Sequence, residues 1–538
     1  MDASPTSSFR QVAADELVFG LVYGAGAETE TFHQLLKASL HGYGYQLRTV
    51  HLSNYFPSLV EEDHFQREHP EATRTLQDMG DTLRDKTKLN DVVAQLAVFL
   101  IAGKRTNADA SRSRVVWLVR SLKRWEEVAT LRRIYGPRFI LFALHVPELQ
   151  RQKNLMNRWE RWANISSKHF DAEALTDLHR DYSDPATRYG QGVRDTFSLA
   201  DFFVDGRSKA SLKAVIPRLV HLIFGEAFVP PFREEQGMYH AFTAGLRSAE
   251  MGRQVGAALV NRAGDVVSVG TNDVPTGAGG LYWSPDQPDG RDFARQPPLD
   301  SNTVWQRRIA RELLVRMGGT GWSNKRRLTA LENGAFDVTE ERLDDFLRDL
   351  DGTRFSSITE FGRSLHAEMD AITSAARKGV PIDKTTLVCT TFPCHNCARH
   401  VIASGIERVL YIHPYAKSLA RELHDDSIIF EPVVPGPVEG KVVFEQYVGV
   451  APRVYSPYFD FGQAKRKSPR GRAMATDDAL KATPRVLQDA GSFAFGGSVL
   501  PTGRISELER EAIKEFVRRV SKTPGLRVPT PSETEDEK

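Results

Sequence analysis

The chain has 538 residues but only three cysteines, Cys389, Cys394 and Cys397. So few thiols exclude a disulfide-stabilised scaffold and are typical of proteins from a reducing compartment. The chain also lacks an apolar run that could span a bilayer, and its polar start, residues 1–12, lacks the apolar core of a signal peptide. Neither charge is in excess, since 71 basic residues stand against 69 acidic ones, so no global feature indicates a nucleic-acid or membrane surface. We therefore expect a soluble, cytoplasmic protein with no membrane partner.

The length of the chain predicts two or three domains, and a hydrophobic content of 41% is enough to fill their cores. We expect an N-terminal domain over residues 15–225 and a second domain over residues 226–455. A long interruption at residues 276–362 divides the second domain, and it could serve as a lid, an oligomer contact or a ligand sensor. Residues 456–538 are a C-terminal extension whose polar, acidic end is expected to be partly disordered.

The N-terminal part alternates apolar strands with helical patterns. Residues 17–23 read as a buried strand, residues 24–29 as a glycine-bearing turn, and residues 31–40 have apolar side chains at helical spacing. A second strand follows at residues 45–52, and the β-α-β order predicts a parallel sheet with right-handed crossovers. Because the alternation continues to about residue 225, it predicts one doubly wound α/β domain.

The glycine turn is a candidate phosphate site. A strand, a glycine turn and a helix can hold phosphate against backbone N–H groups at the start of the helix. The candidate nucleotide-binding residues are Gly20, Gly24, Gly26 and Thr29. The turn is not a complete Walker A motif, because no lysine follows Gly26. Nucleotide binding is therefore favoured over phosphoryl transfer, and a tight turn without a ligand remains the alternative.

Two of the three cysteines have the spacing of metal ligands. An H-x-E motif at residues 366–368 precedes a P-C-x-x-C motif, and this combination is the signature of zinc-dependent nucleoside deaminases. The pattern predicts that His366, Cys394 and Cys397 hold Zn²⁺ and leave its fourth position to water. Cys389 lies five residues before the motif on a predicted strand, and we interpret it as a small buried hydrophobic residue.

Glu368 is the predicted catalytic residue. Zinc of this kind lowers the pKa of bound water to about 7, which makes hydroxide available for hydrolytic deamination. Two residues after His366, Glu368 can take the proton of the water and pass it to the ring and to the departing ammonia. A structural zinc with a fourth protein ligand is the alternative, and His395, His400 and His413 are candidates for that ligand. The presence of Glu368 at this offset favours catalysis.

The region around the motif reads β-β-α-β-α-β and predicts a three-layer α/β/α sandwich. Segments 254–257, 270–275 and 391–398 follow one another in the order found in deoxycytidylate deaminases. With these segments, residues 226–450 resemble the deoxycytidylate deaminase family. The resemblance implies that Asn272 contacts the deoxyribose of a deoxycytidine nucleotide. It also implies that Thr391 and Phe392 line the pocket for the base.

The whole chain resembles a narrower family, the bacterial anti-phage dCTP deaminases. These proteins join a degenerate P-loop, nucleotide-kinase-like domain to a deoxycytidylate deaminase domain. The resemblance is carried by segments 17–22, 120–128, 190–197, 281–283, 366–371, 417–420 and 448–452. It implies deamination of dCTP, and of dCMP, to uracil nucleotides, which would deplete the dCTP pool during phage infection.

The same resemblance implies control and assembly. It implies restraint by a small RNA in uninfected cells, and the N-terminal domain and the basic run at residues 465–472 are places where such control could act. A nucleotide effector at the N-terminal domain is a further expected partner. Related deaminases are oligomers, so a homo-oligomer is expected, and a hexamer is one candidate for it.

Three other functions remain open on the sequence. A deaminase that edits cytidine or adenosine in RNA or tRNA is disfavoured by the near-zero net charge. A nucleotide sensor with a structural zinc is disfavoured by Glu368. A bifunctional nucleotide kinase and deaminase is disfavoured by the missing Walker lysine, unless Lys123 or an arginine of residues 151–161 replaces it.

Overall fold

The chain forms two units, each built around a six-stranded sheet. The first comprises residues 1–236, 431–435 and 446–538, and the second comprises residues 237–430 and 436–445. The structure is a computed structural model. It describes residues 12–62, 64–105, 114–163, 171–184, 189–319, 329–330, 336–434, 436–460, 466–473, 482–487 and 500–529. The end that is predicted to be disordered, from residue 530 onward, lies outside these described residues.

Strands and helices alternate along much of the chain. The strands, in chain order, are β1 (Leu17–Tyr23), β2 (Gln46–His51), β3 (Val115–Arg120), β4 (Phe139–His145), β5 (Phe202–Asp205), β6 (Gly256–Val260), β7 (Val266–Thr271), β8 (Thr329–Ala330), β9 (Phe336–Asp337), β10 (Thr386–Thr391), β11 (Arg408–His413), β12 (Ile428–Phe430), β13 (Val442–Gln446) and β14 (Gly449–Val450). The helices are α1 (Glu30–His41), α2 (Phe56–Leu59), α3 (Ala72–Thr87), α4 (Val92–Lys104), α5 (Trp125–Tyr135), α6 (Glu148–Ala163), α7 (Asp171–Tyr182), α8 (Val193–Phe197), α9 (Lys209–Ile223), α10 (Arg233–Gly245), α11 (Ser301–Gly319), α12 (Glu340–Asp349), α13 (Ala367–Lys378), α14 (His395–Ala403), α15 (Ala420–Leu423), α16 (Tyr455–Phe459) and α17 (Thr502–Ser521).

The sheet of the first unit has the strand order β14-β5-β4-β1-β3-β2. Strands β1 to β5 run parallel, and the short β14 is antiparallel to β5. Strands β1, β3 and β4 are buried over almost their whole length, as expected of parallel strands covered on both faces. The predicted α/β class with a parallel N-terminal sheet is therefore confirmed.

The order of these strands leaves a crevice beside β1. The connection from β1 to β2 leads toward one edge of the sheet, whereas the connection from β3 to β4 leads toward the opposite edge. At such a switch point the connections diverge, and the space outside the carboxyl ends of the strands is free to receive a ligand. Tyr23, His51 and Arg120 are the last residues of β1, β2 and β3 and lie at this end of the sheet.

The C-terminal helix α17 belongs to the first unit, where it packs on α4. Residues 92–102 of α4 are all buried, so this helix is apolar on every side and needs a cover. Phe516 of α17 supplies part of that cover and lies 5.5 Å, centroid to centroid, from Phe99 of α4. One face of α17, within residues 502–521 of the C-terminal extension, is thus part of the hydrophobic interior of the first unit.

A buried ionic cluster ties α17 to the sheet. The Arg105 guanidinium lies 2.7 Å from Oε1 of Glu16, just before β1, and 2.7 Å from Oε1 of Glu509 in α17. Tyr135 donates a hydrogen bond of 2.9 Å to Glu509. All four side chains are buried. The single guanidinium therefore holds two carboxylates that could not otherwise remain charged in the interior.

Replacing Arg105 by methionine is expected to lower the free energy of unfolding by about 3–5 kcal/mol, because two buried carboxylates lose their counter-charge. Urea unfolding measures the loss. Arg518→Met is the control, since Arg518 on the same helix pairs with Glu515 at an exposed position and its loss should cost at most about 1 kcal/mol. Equal losses in the two variants would contradict the prediction.

The sheet of the second unit has the strand order β12-β13-β11-β10-β6-β7. Strands β10 and β11 are parallel, as are β12 and β13, while β6 is antiparallel to both β7 and β10. The hairpin of β6 and β7 turns at residues 261–264, where Gly264 has a φ of 100°. The hairpin that the sequence predicts is thus present, and the unit is of mixed α/β class.

The interruption at residues 276–362 has a small core of its own. Ala310 and Leu314 of α11 pack with Val338 and with Leu343 of α12. Asn302 and Gln306 of α11 donate hydrogen bonds to the carbonyl of Ile358. The segment therefore forms a small substructure with its own core within the second unit.

Among the described residues, no helix combines the length and the apolar composition that crossing a membrane requires.

Candidate metal centre

His366 is positioned by a short bridge to the end of the β6–β7 hairpin. The backbones of Leu365 and Asp273 exchange hydrogen bonds of 2.9 and 3.2 Å. His366 follows in extended conformation and is the N-cap residue of α13. The backbone N–H of Thr271 donates to the Asp370 carboxylate at 3.0 Å, which fastens the first turn of α13 to β7. Hydrogen bonds thus fix the chain both before and after His366, and this restricts where its imidazole can lie.

Gly270 allows α13 to approach β7 closely. A Cβ atom at this position would lie 2.2 Å from the carbonyl oxygen of Ala367 and 2.3 Å from the backbone nitrogen of Ala371. Both are backbone atoms of α13, so no side-chain movement could relieve the clash. The glycine therefore sets the distance between the sheet and the helix that carries Glu368.

Gly270→Ala is expected to lower the free energy of unfolding by about 1–3 kcal/mol, because the added methyl must push α13 away from β7. The same displacement should weaken zinc binding. Urea unfolding and zinc competition with a colorimetric chelator measure the two effects. Gly277→Ala is the matched control, since a Cβ there meets nothing within 4 Å. Unchanged zinc affinity in Gly270→Ala would show that this contact does not set the geometry of the site.

The two cysteines come from the turn between β10 and α14. Cys394 is the N-cap residue of α14, and its sulfur accepts the backbone N–H of Cys397 at 3.4 Å. The i, i+3 spacing brings both sulfurs to the same side of the first turn. Ser418 donates to the carbonyl of Pro393 at 2.9 Å and steadies the turn. The partial positive charge of a helix N-terminus favours the thiolate form there.

The imidazole and the two sulfurs converge on one point. Nδ1 of His366 lies 3.3 Å from Sγ of Cys394 and 3.3 Å from Sγ of Cys397. All three donor atoms lie within 4.8 Å of one another. Zinc bonds of about 2.3 Å to sulfur and 2.0–2.1 Å to nitrogen would place tetrahedral ligand atoms about 3.5 Å apart. The donor set and its spacing therefore fit a zinc ion.

The electrostatics of the group match a cation site. Hydrogen bonds from Cys397 and His366 lower the pKa of Cys394 to about 4. The hydrogen bond to Cys394 raises the pKa of His366 to about 9. The Cys394 thiolate is thus favoured, and the thiolate is the form of cysteine that binds a metal.

Glu368 lies beside the metal group in the first turn of α13. Its side chain is buried, and burial raises its pKa. Burial and interactions with Glu368 raise the pKa of the Cys389 thiol, so this cysteine stays a neutral neighbour of the carboxyl group. A buried carboxyl group with a raised pKa next to a metal site can hold a proton and release it again, as a general acid–base must.

The three histidines that could have completed a structural site lie elsewhere. His395 pairs with Glu360, with Nε2 3.4 Å from Oε1. His400 bonds through Nδ1 to the carbonyl of Asn396. His413 ends β11, where its carbonyl accepts the N–H of Phe392. Within the described part of the chain, the group that could hold a metal consists of one histidine and two cysteines.

The side-chain amide of Asn272 forms hydrogen bonds with the backbone of a neighbouring segment. Its Oδ1 accepts the N–H of Val255 at 2.7 Å, and its Nδ2 donates to the carbonyl of Arg253 at 2.8 Å. Asn272 thus holds the start of β6 against the end of β7. Its role toward a deoxyribose stays a prediction.

Thr391 and Phe392 directly precede the cysteine turn. Thr391 is buried, and its hydroxyl has no hydrogen-bond partner among the described residues. Phe392 belongs to the hydrophobic core of the unit and packs edge-on against Tyr411 at 4.9 Å and Phe444 at 5.7 Å. Thr391 therefore offers a polar atom near the site, whereas Phe392 contributes mainly to the core beneath it.

Several polar residues near the site belong to no recognised motif and could not be predicted from the sequence. Ser364, two residues before His366, donates a short hydrogen bond to Glu250. Burial and the charge of Cys394 raise the pKa of Tyr415. Only the position of Ser364 beside the H-x-E motif could have drawn attention to it.

One family model matches the part of the chain that contains this site. Residues 232–413 match the model described as the cytidine and deoxycytidylate deaminase zinc-binding region. This part of the chain contains a deaminase zinc-binding region. The match and the group of His366, Cys394 and Cys397 confirm the prediction of zinc as cofactor.

Curated relatives share short segments with the chain. The chain is 40% identical over 62 residues to ComE operon protein 2 of Bacillus subtilis (strain 168), which is 11% of this chain and 33% of that protein. It is 41% identical over 54 residues to the deoxycytidylate deaminases of Enterobacteria phages T2 and T4, which is 10% of this chain. These matches span 29% and 28% of the phage proteins. The chain thus matches about a third of the length of these relatives.

Solved structures similar to part of the chain include the dCMP deaminase of cyanophage S-TIM5, in apo form and in complex with dCMP and dUMP. The identities are 16% and 17%, each comparison covers 39% of this chain and 95% of that chain, and each TM-score is 0.20. At this TM-score the likeness adds nothing to the account of the fold.

The candidate nucleotide-binding glycines of the first unit are explained by packing. A Cβ on Gly20 would lie 2.7 Å from the ring of Phe139, and one on Gly26 would lie 2.3 Å from the carbonyl oxygen of Arg151. A Cβ on Gly24 would lie 2.6 Å from the Arg151 guanidinium. The turn is therefore glycine-rich because α6 lies directly on it. Thr29 is the N-cap residue of α1 and accepts a hydrogen bond from Arg120.

Proposed function

We propose that the protein is a zinc-dependent hydrolase that deaminates deoxycytidine nucleotides. The observation that carries the proposal is the buried Glu368 beside the converging His366, Cys394 and Cys397, within a deaminase zinc-binding region. Water replaces the amino group at C4 of cytosine, so the products are the uracil nucleotide and ammonia.

In this mechanism His366, Cys394 and Cys397 hold the zinc. When bound, zinc supplies a nucleophile at neutral pH by lowering the pKa of water. Glu368 accepts one proton of the attacking water and donates it to ring nitrogen N3. It then accepts the second proton, from the hydroxyl group now bound to C4, and donates it to the departing amine as the C–N bond breaks. Burial of Glu368 keeps bulk water away from the carboxyl group while it carries the proton.

Three further residues are proposed to bind the substrate. The Thr391 hydroxyl is a buried polar atom without a partner among the described residues and is assigned to the base. Asn272 is assigned to the deoxyribose, since its amide is held rigidly by the backbones of Arg253 and Val255. Phe392 is assigned to the wall beneath the base, through its place in the core.

We assign dCTP, with dCMP, as the substrate, and depletion of the dCTP pool as a defence against phage. The resemblance of the chain to anti-phage dCTP deaminases supports this assignment. A three-layer deaminase domain, a regulatory P-loop-like first unit, a nucleotide effector, an inhibitory small RNA and a homo-oligomeric, hexameric assembly belong to the same proposal. In the basic run, residues 466–472 are mostly exposed and accessible to a partner, while residue 465 lies outside the described residues.

A kinase activity of the first unit is not part of the proposal. Lys123, which could have replaced the Walker lysine, lies 2.9 Å from the Asp181 carboxylate and donates to the carbonyl of Tyr23 at 2.9 Å. Its ammonium group is therefore engaged with protein atoms.

The test is a substrate panel. Purified zinc-loaded protein is incubated with dCTP, dCMP, CTP and a cytidine-bearing oligonucleotide, with and without a metal chelator, and uracil products are separated by chromatography. We expect chelator-sensitive conversion of dCTP and dCMP. Conversion of the oligonucleotide alone would identify an editing deaminase, and conversion of none would leave a nucleotide sensor with a structural zinc.

A further inference from the structure

Arg363 connects the interruption at residues 276–362 to the chain that leads to His366. Its guanidinium donates a hydrogen bond of 2.6 Å to the Asp292 carboxylate and one of 2.8 Å to the carbonyl of Gly290. Both partners lie near the start of the interruption, 71 and 73 residues before Arg363. One side chain thus closes the base of the interruption, only a few residues from a zinc ligand.

The Asp292 carboxylate is fixed in place for this contact. It is buried, and its Oδ2 accepts the backbone N–H of Ser301 at 3.0 Å and the Ser301 hydroxyl at 2.7 Å. Its Oδ1 accepts the hydrogen bond from Arg363. Burial alone would raise the pKa of Asp292, but hydrogen bonds from Ser301 and Arg363 lower it. The contact is therefore a charge-assisted hydrogen bond to a carboxylate that protein atoms hold at both oxygens.

The two residues between Arg363 and His366 are anchored as well. Ser364 donates a short hydrogen bond to Glu250, and Leu365 forms the backbone bridge to the end of the β6–β7 hairpin. His366 then begins α13 as its N-cap residue. Because successive Cα atoms are a fixed distance of about 3.8 Å apart, a displacement of Arg363 is passed along this short stretch to His366.

The last part of the interruption also contacts the chain around the two cysteines. Oε1 of Glu360 lies 3.4 Å from Nε2 of His395, the residue that follows Cys394. Lys417 donates a hydrogen bond of 3.0 Å to the carbonyl of Ser356. The interruption therefore touches the segment that carries the histidine ligand and the turn that carries the cysteine ligands.

We propose that the interruption at residues 276–362 is a positioning element of the metal centre, and that Arg363 is the positioning residue through which it holds His366. The guanidinium of Arg363 is bound to Asp292 and Gly290, so Arg363 acts through the chain and not on the substrate. The inference rests on the proposed function, since it concerns the same zinc centre, but zinc binding tests it without any substrate.

Zinc affinity of the full-length protein is the first measurement. Arg363→Gln is expected to bind zinc roughly tenfold more weakly, at the low end of the range that indirect partners of a metal ligand contribute. Competition with a colorimetric chelator measures the affinity. The visible absorption bands of the cobalt(II)-loaded protein depend on ligand geometry and are expected to shift. Circular dichroism verifies that the variant is folded.

Arg307→Gln is the matched control. Arg307 lies on α11 within the interruption, its side chain is 34% exposed where that of Arg363 is 35%, and it pairs with Asp344 of α12 at 2.6 Å. It thus loses a comparable ion pair far along the chain from His366. Unchanged zinc affinity and cobalt bands in Arg363→Gln, or equal changes in the two variants, would overturn the proposal.

Removing the partner carboxylate tests whether the two side chains act together. Asp292→Asn is expected to weaken zinc binding about as much as Arg363→Gln does. The double variant should lose no more affinity than the weaker of the two single variants, since all three lack the same contact. Losses that add in the double variant would show independent effects and would refute the role of this pair.

The kinetics of a zinc-saturated variant give a second readout. Arg363→Gln should lower kcat roughly tenfold and leave KM within about twofold of the original, because the substrate makes no contact with Arg363. A raised KM with unchanged kcat would place Arg363 in substrate binding and overturn the proposal. If the zinc and cobalt changes appear in a protein that deaminates nothing, the proposed function fails while the positioning role stands.

Discussion

Replacing Glu368 by glutamine is expected to lower the rate of deamination by about 100- to 10,000-fold, the range that general acid–base groups contribute. Glutamine has nearly the same shape, but its amide can neither accept the proton of the attacking water nor return it to the base. Glu368 lies outside the group of three donor atoms, so the variant should keep its zinc. Ammonia release measures the rate, and elemental analysis measures the zinc.

Asp370→Asn is the matched control for this prediction. Asp370 lies in the same helix and is also buried, but its carboxylate accepts the N–H of Thr271 and the hydroxyl of Ser374. Asp370→Asn should lower the stability of the protein, because it weakens these two hydrogen bonds. Its rate of deamination should stay within about tenfold of the original, because Asp370 has no part in the proposed proton transfer. A fully active, zinc-loaded Glu368→Gln protein would refute the proposed mechanism. An equal loss in both zinc-loaded variants would show that the effect comes from disturbing α13.

The metal group could be predicted because its geometry is largely local. Cys394 and Cys397 are one helical turn apart, and Glu368 is two residues from His366, so spacing alone restricts where these side chains can lie. Only the approach of His366 to the cysteines is a tertiary contact, and it could be predicted because the H-x-E and P-C-x-x-C motifs together form a known signature. The α/β class followed in the same way from the alternation of apolar strands and helical patterns.

Contacts between distant segments could not be predicted in this way. The glycines at residues 24 and 26 fit a phosphate turn in the sequence, yet in the structure they accommodate Arg151, some 125 residues away. Nothing in the sequence around Asn272 shows that its amide is used by the backbones of Arg253 and Val255. These roles are set by packing and hydrogen bonds that arise only when the sheet has formed.

The second large effect is expected from the metal ligands. Replacing Cys397 by serine should lower zinc affinity by more than about 100-fold, since even indirect partners of a zinc ligand contribute about 10- to 100-fold. A serine hydroxyl stays protonated at neutral pH, whereas the thiol can ionise and bind the cation. Activity should fall together with the zinc content, because the chemistry needs the bound metal.

The loss of zinc should also be visible as a loss of stability. A metal present at about 1,000 times its dissociation constant stabilises the folded protein by about 4 kcal/mol. Chelation of the original protein and the Cys397→Ser substitution should therefore lower the thermal unfolding temperature of the second unit by similar amounts. Added zinc should restore the original protein but not the variant.

Cys389→Ser is the control that separates a zinc ligand from a buried cysteine. Cys389 is fully buried on β10, and it lies outside the group of three donor atoms. Serine is close to cysteine in size and leaves the three donor atoms untouched, so this variant should retain one zinc per chain. If Cys389→Ser lost zinc while Cys397→Ser kept it, the ligand set would be wrong. If all variants kept zinc, the metal would be held elsewhere, and Glu368 would have no water to activate.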